Sequence, residues 1–369
     1  MGLFDLFKKK PEPKDSITVK VSTSVPPAAV DDIPSIKDRV KNAFPSKNGL
    51  YPHEILMLEY ADSYKTNDNT FQSFWKWNYS VDDPQCLLES LFERGFICFA
   101  NVKESVKNTK VTELKELLLK KGEKISGKKN ELVNRVLEVY NSDELEQIFP
   151  EKRYTLTALG QEEVHENEYV LYCHRKGYVT PWEMNALMHN RTNESVNYRD
   201  VMWGVFNEES LRYAQNLNFG LYRNVRHNMA EFLVEENQYL RALDFFVEVV
   251  AYDLSGLGNN ERFTLDSTFD REIRIDSKLA NFFLDEEKKE VTIPGGIVTR
   301  INKLREHINM SDDDFVNYVY ESCSKFKIHN RIFTENECAN ILLSLMNLED
   351  RKLTYSYDLA VERAKKMIK

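Results

Sequence analysis

Residues 107–137 read KNTKVTELKELLLKKGEKISGKKNELVNRVL, and apolar residues recur in this stretch at helical spacing around two glycines. The first helix is predicted to end at Gly122 and the second to follow the run SGKK at residues 126–129. Helices this short are marginal in isolation, so the two must pack together. Their predicted interior consists of Val111, Leu114, Leu118, Leu132, Val133, Val136 and Leu137.

This stretch is basic although the whole chain is acidic. Between Lys107 and Arg135 there are nine Lys or Arg residues against four Glu, a local charge of +5 in a protein of net charge −9. Free N–H groups and the helix dipole favour an anion at the start of the second helix. Glycine at position 127 lets the backbone come close to a phosphate. Contact with a polyanion is therefore predicted to be local.

The spacing resembles that of the SAP family, which has an apolar residue, then ELK, L, G, a turn, GxK, EL and R. The matching residues here are Val111, Glu113, Leu114, Lys115, Leu118, Gly122, Gly127, Lys129, Glu131, Leu132 and Arg135. This chain has Glu123 where the family usually has Leu, and Ile125 is expected to supply the missing apolar contact. The resemblance, over residues 107–140, implies binding to the DNA backbone, often with a preference for AT-rich DNA.

The predicted DNA-binding residues all belong to this SAP-like module. They are Lys110, Lys115, Lys121, Lys124, Ser126, Gly127, Lys128, Lys129 and Arg135. Phosphate contacts would position the protein on DNA and carry little sequence information. The alternative is that the lysines only solvate a small helical hairpin.

The segments around the module suggest a second resemblance. A helix starting at residues 82–84 (DDP) ends at Gly95, and residues 96–100 (FICFA) are typical of a buried strand. After the module, residues 154–160 read YTLTALG and precede a charged helix. The strand and the LTxxG motif resemble the two strands of the wing in a MarR-like winged helix. The resemblance covers about residues 50–167, with the basic module inserted into the wing. The alternative is a helical domain in which the leucines of LTALG are core residues.

The remainder of the chain is predicted to be helical. Residues 223–254 resemble a single tetratricopeptide (TPR) unit on the strength of Asn228, Met229, Ala230, Asn237, Tyr239, Ala242, Leu243, Phe246, Val249 and Asp253. The alternative is an ordinary antiparallel helix pair. Arg223, Arg226 and His227 form a basic patch, which is predicted to pair with Glu231 or Glu235.

The first 35 residues are predicted to be flexible because prolines recur among Ser, Thr, Asp and Lys. Met1–Lys10 places Leu3, Phe4, Leu6 and Phe7 ahead of three lysines. This peptide is expected to be a frayed terminus or a partner-docking segment, and the alternative is a weak membrane anchor. Leu6 stands where the myristoylation pattern has Ser or Thr, so lipidation is not expected.

Composition narrows the classes of function. The five cysteines have no CxxC spacing, which argues against zinc clusters and favours a reducing cytoplasm. No apolar run approaches the length of a membrane span. The chain lacks GxxxxGK[ST], GxGxxG, HExxH and GxSxG motifs, so no catalytic residue, metal or cofactor is predicted.

The sequence therefore predicts a mainly α protein in three parts. Residues 1–35 form a flexible segment, residues 36–167 a winged-helix-like domain containing the SAP-like module, and residues 168–369 a helical domain. The predicted function is non-enzymatic DNA binding in the cytoplasm (at the nucleoid if bacterial, since the residue usage suggests a bacterial or phage protein), with a protein partner at the C-terminal helices. The alternative is a protein–protein adaptor that uses the TPR-like helices, with a purely structural SAP-like hairpin.

Overall fold

The computed structural model describes residues 34–66, 69–190, 196–255, 293–326 and 333–368. It divides into two compact units, residues 1–190 and residues 191–369. The described residues are mainly helical, which confirms the predicted fold class. The peptide Met1–Lys10 and nearly all of the predicted flexible segment lie outside the described residues.

The first unit contains eleven helices and two strands among its described residues. The elements are α1 (Ile36–Lys41), α2 (Pro52–Tyr60), α3 (Phe74–Tyr79), α4 (Pro84–Glu93), β1 (Ile97–Phe99), α5 (Val102–Asn108), α6 (Val111–Lys120), α7 (Lys129–Val139), α8 (Ser142–Ile148), β2 (Tyr154–Leu156), α9 (Ala158–Glu166), α10 (Tyr169–Lys176) and α11 (Pro181–Asn190). α4 begins as predicted: Asp83 caps it by accepting a hydrogen bond from the Cys86 N–H, and Pro84 follows.

The two strands pair antiparallel and bracket the SAP-like module. Ile97 lies opposite Leu156 and Phe99 opposite Tyr154. Beyond the strands, the Ala100 N–H donates to the Arg153 carbonyl at 2.8 Å, so the two ends of the inserted segment are adjacent. The predicted strands and the insertion between them are therefore present. The resemblance of the surrounding unit to a winged helix stays a prediction.

The glycine of the LTALG motif has a packing role. A Cβ on Gly160 would overlap the carbonyl oxygen of Phe96, so only glycine lets α9 approach the start of β1 this closely. Thr157 caps α9 and also donates its hydroxyl hydrogen to the Phe96 carbonyl at 3.0 Å. These contacts fix α9 beside the short sheet.

The core of the first unit outside the module surrounds α2. Its fully buried large side chains include Leu50, Ile55, Leu56, Met57, Leu58, Trp75, Tyr79 and Leu88. α9, α10 and α11 each contact α2. The compact unit therefore continues to residue 190, beyond the domain boundary predicted at residues 167–168.

The second unit consists of seven helices among its described residues. They are α12 (Tyr198–Gln215), α13 (Phe219–Glu235), α14 (Tyr239–Ser255), α15 (Gly295–His307), α16 (Asp312–Lys325), α17 (Glu335–Met346) and α18 (Asp350–Ile368). Four helix–helix turns are alike, because each has one residue with positive φ: Leu217, Asn237, Asn309 and Leu348. In each turn the next N–H bonds back to a carbonyl of the preceding helix, which ends that helix sharply.

The helices α13 and α14 form the predicted hairpin, and partly buried ion pairs cross it. Arg223 donates two hydrogen bonds to Asp253, at 2.8 and 2.7 Å, and Arg226 lies 3.4 Å from the carboxylate of Glu248. The predicted pairing of these arginines with Glu231 or Glu235 is therefore wrong. The partners lie on the facing helix, since a hairpin brings distant residues together. The resemblance to a TPR unit stays a prediction.

Candidate nucleic-acid interface

The SAP-like module has a hydrophobic interior of its own. α6 packs on α7, and α5 contacts both α7 and α8. The buried residues are Val106, Leu114, Leu117, Leu118, Leu132, Val133, Val136, Tyr140 and Leu145. Five of the seven predicted core residues are among them, and Leu137 is partly buried. Val111 is 38% exposed and was wrongly placed in the core, which α5 and α8 complete through Val106 and Leu145.

The loop between α6 and α7 begins with a glycine turn. Gly122 has φ +76°, and the Glu123 N–H donates to the Leu118 carbonyl at 2.8 Å, which ends α6. Ile125 is 42% exposed and lies outside the buried cluster. The expectation that Ile125 replaces the usual apolar contact of the family is therefore wrong. Hydrogen bonds hold the loop instead.

Arg135 provides those hydrogen bonds from α7. Its Nη1 donates to the carbonyl of Lys124 and, at 3.3 Å, to the carbonyl of Ser126. One guanidinium thus joins two carbonyls of the loop and fixes the path of the backbone ahead of α7. A guanidinium has five N–H donors, so this arrangement leaves donors for a phosphate as well.

The start of α7 offers backbone N–H groups to an anion. Lys128 is the N-cap residue and makes no capping hydrogen bond with its side chain. The N–H groups of Glu131 and Leu132 bond to the Lys128 carbonyl, which leaves those of Lys129 and Asn130 at the open end of the helix. Gly127, immediately before, has φ +134°, a conformation that side chains disfavour. The geometry suits close approach of an oxyanion.

The predicted lysines differ in their surroundings. Lys110, Lys115, Lys124, Lys128 and Lys129 are exposed, and none of them has an ion-pair partner within the described ranges. Lys121 instead lies 2.6 Å from Glu144 of α8 and 4.5 Å above the Tyr140 ring. Lys121 therefore helps to hold α8, while the other five remain available to an anion.

The structure brings part of the predicted site together in one loop. Lys124, Ser126, Gly127, Lys128 and Lys129 occupy the loop and the first turn of α7. Lys110 is the N-cap residue of α6, without a capping hydrogen bond from its side chain, and Lys115 lies in the middle of that helix, apart in sequence from the loop.

Two residues, one in the module and one in α8 beside it, were not singled out from the sequence. Lys120, at the end of α6, is also exposed and has no ion pair among the described residues. Glu144 was not considered as a partner of Lys121, although Asn141 and Glu144 have the spacing of a capping box that starts a helix.

Other clusters of reactive residues in the first unit are occupied by structural contacts. His174 lies between two tyrosines, with Nδ1 2.9 Å from the Tyr79 hydroxyl and Nε2 3.2 Å from that of Tyr60. Burial raises the pKa of the neighbouring Cys173 to about 12, which disfavours a thiolate. Glu162 and Glu166 lie beside Lys47. Across the described residues there is no group of three potential metal ligands.

Helix length and hydropathy bear on membrane insertion. None of the helices in the described ranges combines the length and the apolar character needed to cross a bilayer.

Comparisons with known proteins identify one region of the chain. No curated protein and no solved structure matches the chain. A protein-family model does match, over Ser105–Asn141, a range that contains α6, the basic loop and α7. That model describes the SAP domain.

Proposed function

We propose that this chain is a non-enzymatic DNA-binding protein that grips the phosphate backbone through residues 105–141. The supporting observation is the loop before α7, where unpaired lysines, Gly127 and an uncapped helix start lie within a region that matches the SAP domain, a DNA-binding module. We place the protein in the cytoplasm, and at the nucleoid if it is bacterial. The second unit is proposed to recruit a protein partner.

The proposed binding to DNA depends on the positive charge of lysine side chains and on the main-chain amides at the start of α7. Lys124, Lys128 and Lys129 supply mobile positive charge around the amides of the first turn of α7. Arg135 keeps the loop carbonyls turned toward its guanidinium and so fixes the shape of the loop. Such contacts neutralise phosphates and release counterions from DNA. The strongly acidic remainder of the chain would confine binding to this module.

A test of this function uses two duplexes of equal length and equal A·T content but unrelated sequence. Phosphate contacts carry little sequence information, so the full chain should bind both duplexes with affinities within about threefold at low salt. A mobility-shift titration with each duplex measures this. Binding to neither duplex at 50 mM NaCl would refute the proposal, and strong preference for one would show base readout instead.

The second candidate function is a protein–protein adaptor. Leu211, Leu240 and Leu348 of the second unit are large apolar side chains that are more than half exposed, and in this function a bound partner would cover them. In this case the basic hairpin would be structural only. The adaptor function predicts no retention of duplex DNA under the conditions above, so the same titration separates the two functions.

A further inference from the structure

The carboxylate of Glu131 lies against Gly127 in the basic loop. A Cβ placed on Gly127 would overlap one carboxylate oxygen of Glu131 and would lie 3.5 Å from its Cδ. Glu131 is the third residue of α7, and side chains in a helix lean toward its N-terminus, which carries this one back toward the loop. The side chain is exposed, and it forms no ion pair with the part of the chain that the structure describes.

This position puts a negative charge where the module otherwise attracts anions. The positive end of the α7 dipole and its free amides favour an anion at the first turn. An acidic side chain in that turn satisfies the same preference from within the protein. The space above Gly127 is also where a phosphate would have to approach the loop backbone.

We propose that Glu131 competes internally with DNA for the phosphate site at the start of α7. Its carboxylate covers Gly127 in the free protein and is displaced when a phosphodiester group binds. This inference rests on the proposed function and names the residue that limits the affinity for DNA. Glu131 is a positioning residue, since it touches the loop that binds phosphate and not the phosphate itself. Its presence keeps binding weak and readily reversible.

The test compares Glu131→Gln with a matched variant on the same helix. Glu138 is exposed and lies seven residues further along α7, two turns and about 10 Å away on roughly the same face. Glu138→Gln removes the same charge without touching the loop. Binding of the full-length variants to a fluorescent 20-base-pair duplex is measured by anisotropy in 50 mM NaCl.

Glu131→Gln should bind DNA about fivefold more tightly than wild type, the effect of one unit charge at contact distance in water. Glu138→Gln should change affinity less than about twofold, because a unit charge about 10 Å away contributes only about 0.4 kcal/mol in water, and salt reduces this further. The inference would be overturned if both variants gained affinity equally, or if Glu131→Gln gained none. The proposed function would still stand in that case, provided that the wild-type protein binds the duplex. Loss of all binding by wild type would instead refute the proposed function.

The comparison requires that the Glu131→Gln variant is folded. Circular dichroism melting shows whether Glu131→Gln retains its helices. If it does not, Glu131→Asp replaces it, because aspartate keeps the charge in the first turn but draws it away from Gly127. Tighter DNA binding by Glu131→Asp is then expected, and unchanged binding would count against the inference.

Discussion

Reversing the charge of Lys128 and Lys129 together should weaken duplex binding by the full chain about 100-fold in 50 mM NaCl. Both lysines are exposed at the start of α7 and have no ion pair among the described residues. Lys128→Glu with Lys129→Glu removes two attractive contacts with phosphates and adds two repulsive ones. At roughly 0.7 kcal/mol for each of these four pairs of charges, the value for charges about 6 Å apart in water, the total is about 2.8 kcal/mol, which corresponds to this factor.

The control for this variant carries the same change of charge elsewhere in the first unit. Lys37 and Lys41 are exposed on α1, outside the SAP-like module. Lys37→Glu with Lys41→Glu should lower affinity far less, because neither lysine belongs to the loop or the first turn of α7 that is proposed to contact phosphate. Mobility shifts of the three proteins, run side by side, measure the difference. Equal losses in both double variants would mean that binding follows total charge and that the loop is not the site.

Lowering the pH from 7 to 5 should destabilise the first unit by about 2 kcal/mol through His53 alone. Burial lowers the pKa of His53 to about 4, and the nearby Arg94 acts in the same direction, while Glu54 opposes them. Its Nδ1 is buried without a hydrogen-bond partner among the described residues, and its ring stacks on Trp182 at 5.3 Å. His53 therefore becomes protonated below about pH 6.5 in the unfolded state, but only below about pH 4 in the folded state. Stability is lost across that window as the pH falls.

Urea unfolding at pH 7, 6 and 5, followed by tryptophan fluorescence, measures this loss. Three of the four tryptophans, Trp75, Trp77 and Trp182, belong to the first unit, so fluorescence reports mainly on its unfolding. His53→Phe keeps an aromatic ring beside Trp182 and cannot titrate. The variant should lose about 2 kcal/mol less than wild type between pH 7 and pH 5. Parallel pH profiles for the two proteins would show that His53 is not the titrating group.

The local parts of this structure could be predicted from sequence. Two helices around Gly122 and Gly127 follow from the spacing of leucines and valines, and the helix start at Asp83 follows from a capping residue and a proline. The strand after Gly95 was also predictable as a short apolar run beside a turn, whereas its partner after the module was predicted only from the resemblance to a winged-helix wing.

Contacts between distant residues could not be predicted in this way. α5 and α8 have only seven residues each, too few to show a helical period, yet they supply Val106 and Leu145 to the core and leave Val111 outside it. Arg135 holds the loop through main-chain carbonyls, which no side-chain pattern reveals.

The salt dependence of duplex binding tests the central proposal most directly. If the loop and the first turn of α7 neutralise three to five phosphates, the affinity of the full chain should fall roughly 40- to 500-fold between 50 and 200 mM NaCl. The logarithm of the affinity should fall linearly with the logarithm of salt concentration, with a slope of about −2.7 to −4.5. An affinity that does not change over this range, or no binding at 50 mM NaCl, would contradict a grip on the phosphate backbone by residues 105–141.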